Sequence, residues 1–164
     1  MASPAMRVAI ITVSDSSAGG TRPNLGGPTM KERCLNLGWQ VVSETVLPDE
    51  RAKISEQLKQ LADSGTLDLI LTTGGTGLGP RDVTPEATVD VCDRIVPGLA
   101  EMMRERGRQQ STPRAALSRA VAGTRGNTLI VNLPGSPKGA VQSLNAIADL
   151  LPHASEVMRG ARHD

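Results

Sequence analysis

Thr72-Thr73-Gly74-Gly75-Thr76-Gly77-Leu78-Gly79-Pro80-Arg81-Asp82-Val83-Thr84-Pro85-Glu86 is the stretch that decides the fold. The run from Leu67 to Thr73 that leads into it has the apolar character of a buried strand. Behind it, Thr84-Pro85-Glu86 has the marks of a helix start: a capping hydroxyl, a proline at the first helical position and an acid in the first turn. Four glycines between strand and helix let backbone amides approach an anion closely, which side chains prevent. A Walker A loop needs Lys and then Ser or Thr after Gly79, where Pro80 and Arg81 stand. The Rossmann spacing fails as well, because Gly75, Gly77 and Gly79 are evenly spaced. A plain crossover turn needs fewer glycines and no Arg81-Asp82 beside them, so phosphate binding is the stronger reading.

Outward from this loop, segments of strand character alternate with helical ones, which argues for layered α/β architecture. Arg7 to Ser14 reads as a first, central strand and Trp39 to Leu47 as a second. Pro28 opens a helix that Gly38 closes. Asp49 looks like the N-cap of a helix whose Ile54, Leu58 and Leu61 fall at i, i+4 and i+7, ending near Gly65. Pro97-Gly98 breaks the chain before a helix around Leu99 to Gln109. Leu117 to Ala122 and Thr128 to Leu133 are expected strands, joined through the turn-prone Gly123 to Asn127. Pro137 starts the last helical region, which Pro152 should kink or split. Neither repeat nor linker interrupts the chain, so a single domain over residues 1–164 is expected.

Two further loops repeat the strand-loop-helix plan. In Asn132-Leu133-Pro134-Gly135-Ser136-Pro137-Lys138-Gly139, Ser136 is placed to cap, and the free helix amides with Lys138 form a compact anion site. Ser14-Asp15-Ser16 follows the first strand and also reads as a polar cap. Ligands of open parallel sheets lie beyond the carboxyl ends of the strands, so the three loops point to one crevice. Asp82 stands two residues before a helix that Thr84 already caps. Beside an anion-binding loop its carboxylate meets repulsion from phosphate unless a cation intervenes, and Mg²⁺ supplies that bridge.

Composition removes other chemistries. The 164 residues carry 18 Lys and Arg against 17 Asp and Glu, a formal charge of +1, so the field that captures nucleic acid is missing. Trp39 is the only aromatic residue, which removes base-stacking platforms. Cys34 and Cys92 are far apart, and the two histidines, His153 and His163, lie near the C-terminus, so zinc-ligand spacing is missing and a histidine-assisted nucleophile is disfavoured. Two lone cysteines and an apolar run, Val8 to Val13, too short for a signal segment fit the cytoplasm. Membrane spans need roughly 18 apolar residues, and nothing here approaches that.

TTGGTGLGPRDVTPEAT, LPDE, ALSRAVAG and NLPGSPKGA resemble, in order and spacing, the molybdopterin adenylyltransferases: bacterial Mog and MoaB proteins and the G domains of plant molybdenum cofactor synthases and gephyrin. The resemblance runs from Val8 to about Gly160. It implies a three-layer α/β/α sandwich with a mostly parallel mixed sheet, the molybdopterin-binding-like fold, usually assembled as a homotrimer. It implies adenylyl transfer from Mg-ATP to the terminal phosphate of molybdopterin, releasing pyrophosphate, with hand-over of the product to the molybdenum insertase. The family's two essential aspartates match Asp49 and Asp82, which the resemblance makes the catalytic and Mg²⁺-binding pair. Its nucleotide loop matches Gly74, Gly75, Thr76, Gly77 and Gly79 beside Arg81. Its phosphate-side loop matches Gly135, Ser136 and Lys138, and its pterin-side serine matches Ser118. Ser14 and Asp15 join Ser118 as molybdopterin-side candidates.

Arg104 to Ser111 is longer and more basic than the corresponding plant stretch. Gly77-Leu78-Gly79-Pro80-Arg81 is closer to MoaB proteins, some of which are inactive paralogues, so a scaffold that holds molybdopterin without adenylylating it is the alternative. The insertase contains a related domain and needs further domains beyond the 164 residues. One aromatic residue leaves the core short of large side chains, and aliphatic surface between subunits can compensate. Leu99, Met102 and Met103, with Leu150, Leu151 and Val157, are the candidates for that surface.

Overall fold

The computed structural model describes residues 4–160; His163 and the ends of the expected 1–164 domain lie outside the described residues. Four strands run parallel: β1 (Arg7–Val13), β2 (Gln40–Leu47) at the sheet edge, β3 (Leu69–Thr73) and, late in the chain, β6 (Thr128–Leu133). Two short antiparallel strands, β4 (Arg94–Ile95) and β5 (Ala122–Arg125), complete a six-stranded sheet in the order β2-β1-β3-β6-β5-β4. Among the described residues, seven helices surround it: α1 (Asp15–Ala18), α2 (Gly26–Asn36), α3 (Arg51–Asp63), α4 (Thr84–Val91), α5 (Pro97–Gln110), α6 (Pro137–Ile147) and α7 (Leu150–Met158).

Side-chain alternation along the strands divides the core in two. Val8, Ile10, Leu69, Leu71, Leu129, Val131 and Leu133 face α2, α5, α6 and α7 through Met30, Cys34, Met103, Leu144 and Leu151. Ala9, Ile11, Val13, Ile70 and Ile130 face α3 and α4 through Ile54, Leu58, Ala87 and Val91. Burial on both faces explains why the central strands read as nearly continuous apolar runs. The three-layer sandwich expected from the sequence is therefore present.

Four local expectations change. The Leu117 to Ala122 segment is not a strand: a 3₁₀ turn covers Pro113–Leu117, and β5 begins at Ala122. Its amides are committed elsewhere, Arg119 N to Thr76 O at 2.8 Å and Val121 N to Asn132 Oδ1 at 3.0 Å. Helix α3 starts at Arg51 with Glu50 at its N-cap, and Asp49 does not cap it. Helix α4 has Val83 at the cap position without a side-chain bond, and Thr84 serves another purpose described below. The final helical region does split, but at Ala148-Asp149, ahead of Pro152, which sits in the first turn of α7 where its missing N–H costs nothing.

Of the aliphatic residues expected between subunits, Leu99, Met103 and Leu151 are buried in the protein's own core, Val157 is half-buried, and Met102 and Leu150 are exposed. Trp39 is buried in the core layer that also holds Met30 and Cys34 of α2.

At the opposite end of the sheet from the glycine loop, Asp68 is an almost buried carboxylate. It accepts from Arg7 N at 2.7 Å, from the Arg7 guanidinium at 3.2 Å, and from Arg159 at the end of α7. Burial acts to raise its pKa, but the Arg7 and Arg159 donors outweigh burial and hold the carboxyl below its ordinary value. A folded pKa below the unfolded one adds stability above the unfolded value, near ~3.9, and that stability is lost as pH falls through the folded pKa. Asp68→Asn is thus expected to lower the unfolding free energy at pH 7 by about 1.5–3 kcal/mol. Urea melts across a pH series check this: the gap between wild type and variant must close below about pH 4.

Candidate functional site

The four parallel strands end on one edge, so the residues after Val13, Leu47, Thr73 and Leu133 meet there. A cavity of about 480 Å³ opens between them, lined by Ser14, Asn24, Asp49, Gly74, Gly75, Asp82, Gly135 and Ser136 among others. A second cavity of about 230 Å³ lies between α5, the 3₁₀ turn and α6, lined by Met103, Arg104, Arg114, Ser118, Ser136 and Lys138 among others. Ser136 lines both. Its hydroxyl caps α6 by accepting from Gly139 N at 2.9 Å, as the sequence predicted.

The glycine loop is held by its own neighbours. Gly74 and Gly75 have φ of 107° and 69°, and a Cβ at Gly74 would stand 2.2 Å from Val13 O, so only glycine fits there. The Thr84 hydroxyl donates to Gly74 O at 2.9 Å, closing the loop instead of capping α4. The Thr73 hydroxyl donates to Pro134 O at 2.9 Å and joins the two loops. Gly79 N donates to Asp82 Oδ2 at 2.9 Å, and a Cβ at Gly77 or Gly79 would come within 2.9 or 3.0 Å of that oxygen. These two glycines make room for the Asp82 carboxylate, a role that sequence reasoning assigned to an incoming phosphate.

Arg119 clamps the loop from outside. Its guanidinium donates to Gly77 O at 2.8 Å, Asp82 O at 2.8 Å and Glu86 Oε2 at 2.6 Å, while its amide donates to Thr76 O. The Glu86 carboxyl is held below its ordinary value first by this Arg119 bond.

Asp49 faces the cavity from the end of β2. Its amide donates to Asp15 Oδ1 and its Oδ2 accepts from Asp15 N, both at 2.9 Å. Burial, the Asp15 charge and the Asp82 charge push its pKa up, against the Asp15 amide and Arg81. Asp15 is held below its ordinary value by Arg81 first and then by the Asp49 amide. Among the described residues, groups of three or more His, Cys, Asp or Glu arranged for a metal are absent. Two carboxylates on one cavity nevertheless suit Mg²⁺, which takes one or two of them together with phosphate oxygens and water.

The structure thus brings Ser14, Asp49, Gly74, Gly75, Asp82, Gly135 and Ser136 to one cavity, and Ser118, Ser136 and Lys138 to the other. Asp15, Thr76, Gly77, Gly79 and Arg81 are not among the residues lining the larger cavity. His153 is in α7 and lines neither. Sequence reasoning missed Asn24, whose Oδ1 accepts from the Thr12 hydroxyl and Gly27 N, and Arg119 as a clamp. It also missed Arg104, which donates to Ser118 O and Ala120 O, although the basic run around it was a signal.

Arg119→Lys keeps the charge but cannot reach three acceptors. Global stability is expected to fall by about 1–2 kcal/mol, with amide exchange at Asp82, whose N–H bonds Gly79 O, rising in step. Unchanged exchange at that amide would show that the loop holds itself.

The family model described as a probable molybdopterin binding domain matches residues 9–153. The molybdopterin adenylyltransferase of Helicobacter pylori J99 is 35% identical over 162 residues, covering 94% of this chain and 89% of that protein. The molybdopterin adenylyltransferase of Escherichia coli K12 is 38% identical over 147 residues, covering 88% and 74%. The crystal structure of the molybdopterin biosynthesis enzyme MoaB from Thermus thermophilus superposes with a TM-score of 0.89 at 50% identity, covering 97% of this chain and 99% of that one. Every residue lining either cavity falls within the matched span, and the chain belongs to the family of probable molybdopterin binding domains.

Proposed function

We propose that this protein is a molybdopterin adenylyltransferase of molybdenum cofactor biosynthesis. The observation that carries the reading is the pair Asp49 and Asp82 on one cavity at the carboxyl ends of the parallel strands, joined through Ser136 to a second, cation-lined cavity. The relatives named for this activity support it. In this reading the larger cavity takes the triphosphate of ATP, and the smaller, with Ser118, Arg104, Arg114 and Lys138, takes the phosphorylated pterin.

Asp49 and Asp82 are the residues to hold Mg²⁺, which when bound neutralises phosphate charge and offsets charge on the leaving pyrophosphate. An oxygen of molybdopterin's terminal phosphate forms the new bond to the α-phosphorus, and the bond to the bridging oxygen breaks. A phosphate monoester is already ionised near neutral pH, so the reaction needs no general base. Positioning and charge neutralisation supply the rate, and a catalytic histidine is unnecessary. Two free cysteines, with no helix among the described residues long and apolar enough to cross a membrane, support a cytoplasmic location. Transfer of the product to the molybdenum insertase completes the proposal.

Incubation with ATP, Mg²⁺ and molybdopterin should yield adenylylated product; binding of molybdopterin without product would establish the scaffold role instead. Asp82→Asn is expected to lower turnover by roughly 10². Asp49→Asn should also lower turnover while leaving the melting temperature unchanged, because Glu50, not Asp49, occupies the cap of α3. Turnover of either variant within a few-fold of wild type would remove that carboxylate from the mechanism.

The same proposal includes a homotrimer. Met102 and Leu150, each 42% exposed, line a groove together with Leu99 and Ala146, and Ile95 is exposed at 44%. Sedimentation at micromolar concentration is expected to show a species near three times 17.2 kDa, and a stable monomer would reject it.

A further inference from the structure

Asp15 and Arg81 are not among the residues lining the cavity that Asp49 and Asp82 line, and their exposed side chains are bonded to each other beside it. Arg81 Nε donates to Asp15 Oδ2 and Nη2 to Asp15 Oδ1, each at 3.0 Å, a two-pronged contact that fixes the orientation of the carboxylate. Asp15 in turn exchanges two backbone-to-carboxylate bonds with Asp49. The ladder sets this exchange up, because Ser14 N donates to Leu47 O at 2.9 Å and so places the ends of β1 and β2 side by side. Asp49 Oδ2 is thereby occupied by the Asp15 amide. Its other oxygen, Oδ1, is aimed at the glycine loop, 3.0 Å from where a Cβ on Gly75 would stand.

Two adjacent carboxylates repel, and the charge of Asp82 adds to the repulsion. Arg81 is the cation that offsets it, and Arg81 precedes Asp82 in the same loop. The chain of contacts therefore ties the strand end that carries Asp49 to the loop that carries Asp82.

We propose that Asp15 and Arg81 are positioning residues that set the spacing and orientation of the Asp49 and Asp82 carboxylates and touch neither substrate. The inference rests on the reading of Asp49 and Asp82 as the reactive carboxylates. It reassigns Arg81 from phosphate contact, and Asp15 from pterin contact, to support of Asp49.

The test combines kinetics with a measurement on the substrate-free protein. Asp15→Ala and Arg81→Ala are each expected to lower kcat by about tenfold while KM for ATP and molybdopterin stays within twofold, the pattern of lost alignment without lost binding. Arg81→Lys, which keeps the charge but not the fork, should recover part of the loss. In an Asp49→Asn background, Asp15→Ala should cost less than about twofold more, because the two residues act as one unit. Without substrate, Arg81→Ala should speed exchange of the Asp49 amide by about fivefold or more and leave the Gly74 amide, bonded to Leu133 O, unchanged. A raised KM with kcat intact, multiplicative losses in the double variant, or an unaltered Asp49 amide would overturn the proposal. Wild-type turnover in Asp49→Asn alone would instead remove Asp49 from the mechanism, and absence of adenylylated product from the wild-type protein would defeat the adenylyltransferase reading; in both cases the exchange result would still decide whether Arg81 holds Asp49.

Discussion

Parallel pairing of β2, β1, β3 and β6 is the constraint from which the site follows. Parallel neighbours cannot be joined by tight turns, so each connection must cross a face of the sheet, and both faces are then covered by helices. Every strand of the set ends on the same edge. Four loops with no sequence proximity are delivered to one place, and the chemistry of the chain is concentrated in those loops.

The glycine loop shows how such an edge is made rigid without a ligand. Gly74 and Gly75 allow the chain to pass against Val13 O and Thr84; the Thr84 hydroxyl then bonds Gly74 O within the turn, and the Thr73 hydroxyl bonds Pro134 O of the neighbouring loop. Arg119 takes two more carbonyls and ties them to Glu86. Buried backbone acceptors are expensive to leave unpaired, so these side chains are as much a part of the loop as its glycines. Asn132 does the same one layer deeper, where its amide donates to Thr72 and Thr88 and its oxygen accepts from Val121. That residue sets the path of the segment carrying Ser118 and Arg119.

A core with a single aromatic residue is packed by aliphatic alternation alone. Both faces of β1 and β3 are covered by Ile, Leu, Val, Ala and Met, and the largest fully buried side chains are Ile, Leu and Met. Small aliphatic residues allow helices to approach the sheet closely on both sides, which keeps the strand ends, and the carboxylates carried just beyond them, at fixed separations.

The sequence by itself determined the layered class, the four parallel strands and the glycine loop. These depend on local patterns: apolar runs of strand length, glycines that side chains would exclude, and Ser136 three residues before the amide it caps. Local chemistry also singled out Asp82 and Ser136, and the family resemblance added Asp49 and Ser118. Only the tertiary structure decided what each polar group bonds to. Thr84 and Asp49 both look like caps when only neighbours are counted, yet their partners, Gly74 and Asp15, lie 10 and 34 residues away. The Leu117 to Val121 segment has strand-like composition, but Thr76 and Asn132 take its amides. Asp15 and Arg81 are 66 residues apart and meet only because the ends of β1 and β3 meet. Local chemistry offers each donor and acceptor several partners of nearly equal strength, and the packing of the sheet chooses among them by deciding which ones arrive.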